Sequence, residues 1–295
     1  AHVVRRMSAA TEHGVDISSL SAGTDLRAVN ERILALAAAQ SADITQRVTA
    51  DGIRVCRGTG RLLSPSRVQV DFSDGGSEDL EADVILVATG ATPRVMATAR
   101  PDGERILTWT QIYALDRVPE KLVVVGSGVT GAELAQAYLG LGSQVTLVSS
   151  RDQVLPGEDS DAAKVIEDVF KREGMQVLSR SRMSAVERTA DGVLVRLEDG
   201  RTVEGSHALL AVGSVPNTRG IGLEPAGVLL GPGGHIQVDG VSRTSVRGVY
   251  AAGDCTGVFP LASVAAMQGR IAMWHALGDA VTPLHLDVVS ANVFT

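Results

Sequence analysis

Cysteine is nearly missing from this chain of 295 residues: Cys56 and Cys255 stand alone and far apart. That separation leaves no CxxC redox pair and no cysteine zinc site, so each thiol is expected to be a small buried residue. Basic clusters are missing as well. The net charge is −7 and no Lys/Arg block interrupts the sequence, which argues against nucleic acid or an anionic membrane as the main partner. No apolar run is long enough to span a bilayer, and no signal peptide with a basic head and apolar middle opens the chain, so a cytoplasmic protein is expected. The six histidines, His2, His13, His207, His235, His275 and His285, show no metal-ligand spacing; each is read as hydrogen-bonded or solvated, and no metal is expected. Aromatic residues reach only 3%, whereas 44% of the residues are hydrophobic and 32 are glycine. A soluble globular chain with many tight turns has that composition. At roughly 100–200 residues per domain, the length predicts two domains. The sequence opens on Ala1 and closes on "VFT" without a cap or turn, and is expected to be a piece of something longer.

Residues 25–50 place apolar side chains at helical spacing behind Asp25, which predicts one long helix with that Asp as its cap. Residues 52–72 alternate in short β-like pieces broken by Gly and Pro. "ADVILVATGATPR", 82–94, reads as an apolar strand ending in a small-residue turn, followed by a stretch rich in Pro and charge up to Pro119. From Lys121 the pattern becomes strand, Gly-rich turn, helix (129–141) and strand (144–149), a βαβ unit. A helix from about Asp159 to Glu173, the strand "MQVLS", a hairpin turning at Asp199-Gly200 and the strand "HALLAVG" complete it. The final strand, Gly-Asp turn and helix, 249–278, resume the earlier pattern. They are therefore read as the return of the chain to its first domain.

The βαβ turn, "VVVGSGVTGAE", carries Gly126-Ser127-Gly128-Val129-Thr130-Gly131. In a dinucleotide site the first glycine permits the tight turn and the second lets a pyrophosphate approach the backbone. The third lets helix and strand pack closely, and the helix N-terminus meets the phosphate with free N–H groups. A GxGxxG that follows an apolar strand, opens a helix and is completed by a second strand has the context the fingerprint requires; a turn glycine-rich for packing alone is the competing reading. At the end of the second strand, where an acidic residue would take the ribose hydroxyls of NAD, stand Ser149, Ser150 and Arg151. Hydroxyls and a guanidinium there suit a 2′-phosphate, hence NADPH alone or alongside NADH, against the reading of Arg151 as a solvated loop residue. Asp254 follows Gly253 after a strand. A helix beginning near Ala262 aims its amides at the same place, which pairs an acceptor for ribityl hydroxyls with donors for a flavin's electron-rich edge; the plain alternative is an Asx turn.

Together "ATGATPR" (88–94), the Gly-rich turn (123–133), "VLPGEDSD" (154–161), "AVGSVPN" (211–217), "VYAAGDCTG" (249–257) and "LASVAAMQG" (261–269) resemble the flavoprotein disulfide reductase family. Dihydrolipoamide dehydrogenase is its familiar member. Within it the sequence is most similar to lipoamide-dehydrogenase-like NAD(P)H:quinone reductases. The resemblance implies FAD and NADPH or NADH as cofactors, and a small-molecule quinone or disulfide as acceptor. It implies that Gly126, Gly128 and Gly131 take the pyrophosphate, that Ser149 to Arg151 and Met183 surround the adenosine end, that Val212 and Gly213 line the cofactor path, and that Glu133 reaches the nicotinamide. On the flavin side it implies Gly60, Ala88, Thr89 and Gly90 near FAD, Gly253 and Asp254 at the ribityl or phosphate end, and Leu261, Ala262 and Ser263 at the isoalloxazine edge. Two positions depart from the lipoamide type, Ser263 for a His and Gln268 for an acidic residue. The family's opening FAD loop, its redox CxxxxC segment and its C-terminal dimerisation domain have no counterpart in these 295 residues.

The expectation is thus an α/β protein of two nested Rossmann-like FAD/NAD(P)-binding domains of the three-layer ββα type. Residues 1–117 form the incomplete first part of the FAD domain, 118–240 the NAD(P) domain, 241–285 the return segment, and 286–295 the start of an interface domain. The expected function is a flavoprotein oxidoreductase, homodimeric at full length, passing hydride from NAD(P)H through FAD to a quinone. The alternatives are a disulfide reductase such as dihydrolipoamide dehydrogenase, and a non-catalytic NAD(P)-binding module.

Overall fold

The computed structural model describes residues 24–295. In chain order the elements are α1 (Leu26–Ala50), β1 (Gly58–Ser64), β2 (Arg67–Phe72), β3 (Ser77–Glu81), β4 (Ile85–Val87), β5 (Ala91–Pro93), β6 (Ile106–Thr108) and β7 (Lys121–Val125). They continue with α2 (Val129–Gly140), β8 (Gln144–Val148), α3 (Ser160–Arg172), β9 (Gln176–Leu178), β10 (Met183–Arg188), β11 (Val193–Leu197) and β12 (Thr202–Gly205). The last are β13 (His207–Leu210), β14 (Ser214–Pro216), β15 (Val249–Ala251) and α4 (Ala262–Ala276). The chain divides into two compact units. One holds the described residues up to Ala42 with Pro93–Gly213 and Val293–Thr295; the other holds Asp43–Thr92 and Ser214–Asn292.

The first unit is built on a five-stranded parallel sheet in the order β6-β13-β7-β8-β9. Its central strand, "KLVVV", is apolar and buried from Leu122 to Val125 because both faces are covered. Leu122 and Val124 turn to one face and pack with Ala132, Ala135 and Phe170 of α2 and α3. Val123 and Val125 turn to the other and pack with Val186, Val195 and Leu197 of the antiparallel sheet β10-β11-β12. Period-two alternation in a single strand therefore feeds two cores, giving three layers: helices, parallel sheet, antiparallel sheet. Helix α2 approaches the sheet through Gly131, Ala132 and Ala135, its small buried residues. Helix α3 begins at Asp159, whose carboxylate accepts from the Asp161 and Ala162 N–H groups at 3.0 and 3.1 Å, close to the start expected from the pattern.

The second unit carries the antiparallel sheet β1-β2-β3 and the parallel pair β4–β15. Its core joins Leu62, Ile85, Val87, Val249, Ala251 and Cys255 with Leu223, Val228 and Ile236. Helix α1 has the predicted extent, with Asp25 Oδ1 accepting from the Ala28 N–H at 3.0 Å.

The two compact units change over at 42/43, 92/93, 213/214 and 292/293, whereas the sequence reading draws its domains at 117/118, 240/241 and 285/286. Strand β6, inside the Pro- and charge-rich stretch, is the edge of the parallel sheet and needs β13 for its hydrogen bonds. Residues 214–240 in turn bury their apolar side chains with β4 and β15, and the Leu62 N–H donates to Ile221 O. Strands β3, β6 and β10 escaped the pattern reading because they are short or half polar, and tertiary pairing makes them strands.

Cys255 is buried as expected, with its Sγ 3.2 Å from Ala252 O. Cys56 is only partly buried, because it lies in the irregular stretch between α1 and β1, where nothing packs it fully. Among the histidines, His207 meets Ser206 Oγ at 3.0 Å and His275 meets the Tyr250 hydroxyl at 2.8 Å. His2 and His13 lie outside the described residues. Among the described residues no helix is long and apolar enough to cross a membrane, and no cluster of metal-ligating side chains occurs.

Candidate functional site

Strand β7 runs into the Gly-rich turn at Gly126, whose φ of +110° is open to glycine and costly for other residues. A Cβ there would lie 2.2 Å from Ala211 O, and one on Gly131 only 1.8 Å from Gly126 O. These two glycines serve the turn and the packing of α2 on the sheet. Gly128 differs, since a Cβ there would meet nothing within 4 Å. It caps α2 with no side-chain hydrogen bond, leaving the first-turn amides without an internal acceptor. Gly128, Val129 and Thr130 are exposed. The turn thus presents free N–H groups and the positive end of a helix to an open space.

That space is a cavity of about 380 Å³. Its walls include Gly126, Ser127 and Gly128 from the turn, Ser150 and Arg151 from the end of β8, and Met183 and Val212. All of these were singled out from the sequence. Arg94, Met96, Pro156, Ser181 and Arg182 also line it and were not predicted as site residues. Arg94 and Pro156 end or interrupt segments that the family resemblance picked out, and Arg182 precedes Met183, so the signal was adjacency, with no pattern of its own.

Ser149 requires a correction. Its side chain does not face the cavity: it is fully buried, its hydroxyl 2.7 Å from Ser127 Oγ. The same hydroxyl accepts from the Arg151 N–H at 3.1 Å. With the Ser181 N–H donating to Ser149 O at 2.7 Å, this residue braces the Gly-rich turn from beneath and leaves the outward position to Ser150 and Arg151. Val129 and Thr130, although exposed, lie outside the cavity wall. Leu155 adds a local constraint: it holds φ at +52° while buried, and its N–H donates to Ser127 O at 2.8 Å. A non-glycine residue in that region stores of order 1 kcal/mol or more and persists only where its surroundings fix it. Glu133, on the second turn of α2, is half-buried and accepts the Phe294 N–H at 2.8 Å through Oε1. Gly213, with φ +90°, receives the Arg94 N–H on its carbonyl at 3.0 Å.

In the second unit the parallel register of β4 and β15, Val87 opposite Ala251, brings the C-terminal ends of both strands to one edge. The turns Ala88-Thr89-Gly90 and Gly253-Asp254 therefore emerge side by side, where ligands of open α/β sheets bind. The Asn217 side chain donates to Thr89 O at 2.9 Å, and the Asn217 N–H to Gly90 O at 3.0 Å. Gly253 has φ +81°, and a Cβ on it would be 3.3 Å from Ala265 Cβ, so this turn abuts the first turn of α4. Buried Gln268 holds it there by accepting the Gly253 N–H at 2.8 Å, which is the role taken by the residue that departs from the lipoamide type. Asp254 is exposed. Leu261 caps α4 without a side-chain hydrogen bond, and Ala262 and Ser263 are exposed on its open end. A cavity of about 990 Å³ extends from Ser263 along α4 to Trp274. Gly60 belongs to a different sheet, opposite Val70 on β2.

Residues 6–269 match the family model described as pyridine nucleotide-disulphide oxidoreductase. Over 288 residues the chain is 54% identical to an NAD(P)H dehydrogenase (quinone) of Mycobacterium tuberculosis, covering 96% of this chain and 58% of that protein. It is 32% identical over 279 residues to a dihydrolipoyl dehydrogenase of Bacillus subtilis, covering 94% and 60%. The crystal structure of LpdA from Mycobacterium tuberculosis superposes with a TM-score of 0.93 at 52% identity, covering all of this chain and 64% of the other. The chain thus spans roughly three fifths of the length of these relatives.

Proposed function

Because the chain belongs to the pyridine nucleotide-disulphide oxidoreductase family, we propose that its first unit binds NAD(P)H at the Gly-rich turn and its second unit contributes to an FAD site. The observation that carries the reading is the open cavity over the uncapped N-terminus of α2, with Gly128 as a floor that has no side chain to obstruct a phosphate. The residues of this chain fit both groups. For the nucleotide, Gly126 and Gly131 hold the turn, Gly128 admits the pyrophosphate and Met183 offers an apolar wall to the adenine. For FAD, exposed Asp254 accepts from ribityl hydroxyls while the free amides at Ala262 and Ser263 face the electron-rich edge of the ring. FAD, when bound, supplies the two-electron acceptor for the hydride of the nicotinamide. The chain's own part is to position and to tune: Glu133 lies on the helix that starts at the phosphates, at the place where the resemblance puts the nicotinamide.

The electron acceptor in this reading is a quinone, supported by the 54% identity to a protein named NAD(P)H dehydrogenase (quinone). A disulfide acceptor is the second reading, favoured by the 32% identity to dihydrolipoyl dehydrogenases. At its natural length the protein is proposed to be a cytoplasmic homodimer. Titration of the 295-residue chain with NADH and NADPH, followed by nucleotide fluorescence, tests the first step, and saturable binding is expected. A folded chain that binds neither nucleotide overturns the proposal. Nucleotide binding by the natural-length protein without a flavin absorbance band would leave a non-catalytic module. With flavin present, NADPH oxidation followed by absorbance, with a benzoquinone against lipoamide, decides the acceptor, and faster turnover is expected with the quinone.

A further inference from the structure

Among the described residues, three arginines and no carboxylate line the cavity over the Gly-rich turn: Arg94, Arg151 and Arg182. Such a lining suits an anion with more charge than a pyrophosphate alone. Two of the three come from chain segments bound directly to each other. The Arg180 N–H donates to Arg151 O at 2.9 Å, and the Ser181 N–H to Ser149 O at 2.7 Å. Ser181 and Met183 are buried, and Arg182 between them is exposed and shares the cavity wall with Arg151.

The neighbouring cations hold closer carboxylate partners. Arg180 pairs with Asp152 at 2.7 Å and Arg201 with Asp199 at 2.6 Å. Arg151 takes part in no ion pair among the described residues, and Arg182 has one loose partner, Glu198, at 3.8 Å with both side chains more than 60% exposed. A contact of that length and exposure contributes little and exchanges readily for a better anion.

We propose that Arg182, together with Arg151, grips the 2′-phosphate on the adenosine ribose of NADPH. The inference rests on the dinucleotide reading of this cavity and adds to it the residue that decides between the two nucleotides. Selectivity then comes from two segments, the end of β8 and the β9–β10 connection. Two guanidinium groups offer the paired N–H donors that a phosphate accepts, where one would act mainly as a charge. The buried Ser149 hydroxyl fixes the backbone that carries Arg151 and makes no contact with the ligand.

The test compares dissociation constants of NADPH and NADH for the wild-type chain and for Arg182→Gln, Arg182→Lys and Glu198→Gln, with circular dichroism confirming the fold. Arg182→Gln is expected to weaken NADPH about tenfold, equivalent to about 1.4 kcal/mol, and to leave NADH within about twofold. Arg182→Lys should restore part of the loss. Glu198→Gln should tighten NADPH about twofold by releasing Arg182. Raising salt should erode NADPH binding more steeply in the wild type than in Arg182→Gln. An Arg182→Gln variant that shifts both nucleotides by the same factor, or neither, overturns the assignment while the dinucleotide site stands. Absence of all nucleotide binding by the folded wild type overturns the site itself and this inference with it.

Discussion

At the scale of single residues, the three glycines of one turn do different physical work, and the difference is measurable. A side chain on Gly131 collides with backbone, the Gly126 carbonyl at 1.8 Å, which cannot move without opening the turn. Gly131→Val is therefore expected to destabilise the protein by about 3 kcal/mol or more, with nucleotide binding lost as a consequence of misfolding; urea unfolding reads the first effect. Gly128 has open space and caps a helix. Gly128→Asp should fold with an unchanged or higher melting temperature, because Asp is a good N-cap. Its carboxylate would occupy the phosphate position, removing anion contacts at the helix N-terminus and adding repulsion, so both nucleotides should weaken at least about a hundredfold. Equal loss of stability in the two variants would refute this division of labour. Asp102 offers a pH-dependent case. Its burial alone would raise its pKa, but N–H donors from Ile106, Glu104 and Arg105, with the Arg188 guanidinium, outweigh that and hold it down at about 2. A carboxyl depressed in the folded state stabilises above its unfolded pKa, and that contribution fades as pH falls from about 4 towards 2. Asp102→Asn should cost of order 1 kcal/mol at neutral pH, solvent screening included, and only a small fraction of that at about pH 2, as thermal melts at the two pH values would show.

At the scale of elements, helix ends decide both stability and site. Helix α3 is closed by Asp159, with two N–H bonds to its carboxylate and Lys171 and Arg172 in the last turn. Asp159→Ala should lower unfolding free energy by about 1 kcal/mol, measured by urea titration, without changing nucleotide affinity. Helices α2 and α4 start without side-chain caps. Open ends on two helices, each beside a strand terminus, forgo that stabilisation and leave amides available to ligands. Strand β10 belongs to the same scale: its polar outer positions hid it from pattern reading, yet its first residue, Met183, lines the cavity and its buried side chains close one face of the parallel sheet.

At the scale of the whole molecule, each of the two units has its own core, so the effect of nucleotide should be local. NADPH at about a hundredfold excess over its dissociation constant should stabilise the first unit by about 2.7 kcal/mol. Scanning calorimetry should show this as an upward shift of one transition, the same one that Gly131→Val lowers, with the other unmoved. Movement of both transitions together would mean that the units unfold as one cooperative block.

The sequence alone determined the parts of this protein whose cause is local. The βαβ turn was legible because three glycines, an apolar strand and a helix start must occur at fixed spacing for the backbone to turn there. Helix α1 was legible through the spacing of its apolar residues, and α2 and α4 through their place after a strand and a glycine-containing turn. The family could be read from short segments that each carry such a local requirement. Tertiary structure decided what depends on residues distant in the chain. Edge strand β6 exists because β13 pairs with it, and the unit boundaries follow from which core buries residues 93–117 and 214–240. Whether Ser149 faced a ligand or the interior could not be read from its place at a strand end, since the answer lies in Ser127, which approaches it from across the turn. Arg182 likewise carries no signal of its own, and it becomes a candidate ligand-binding residue only because two backbone hydrogen bonds lay its segment against Arg151.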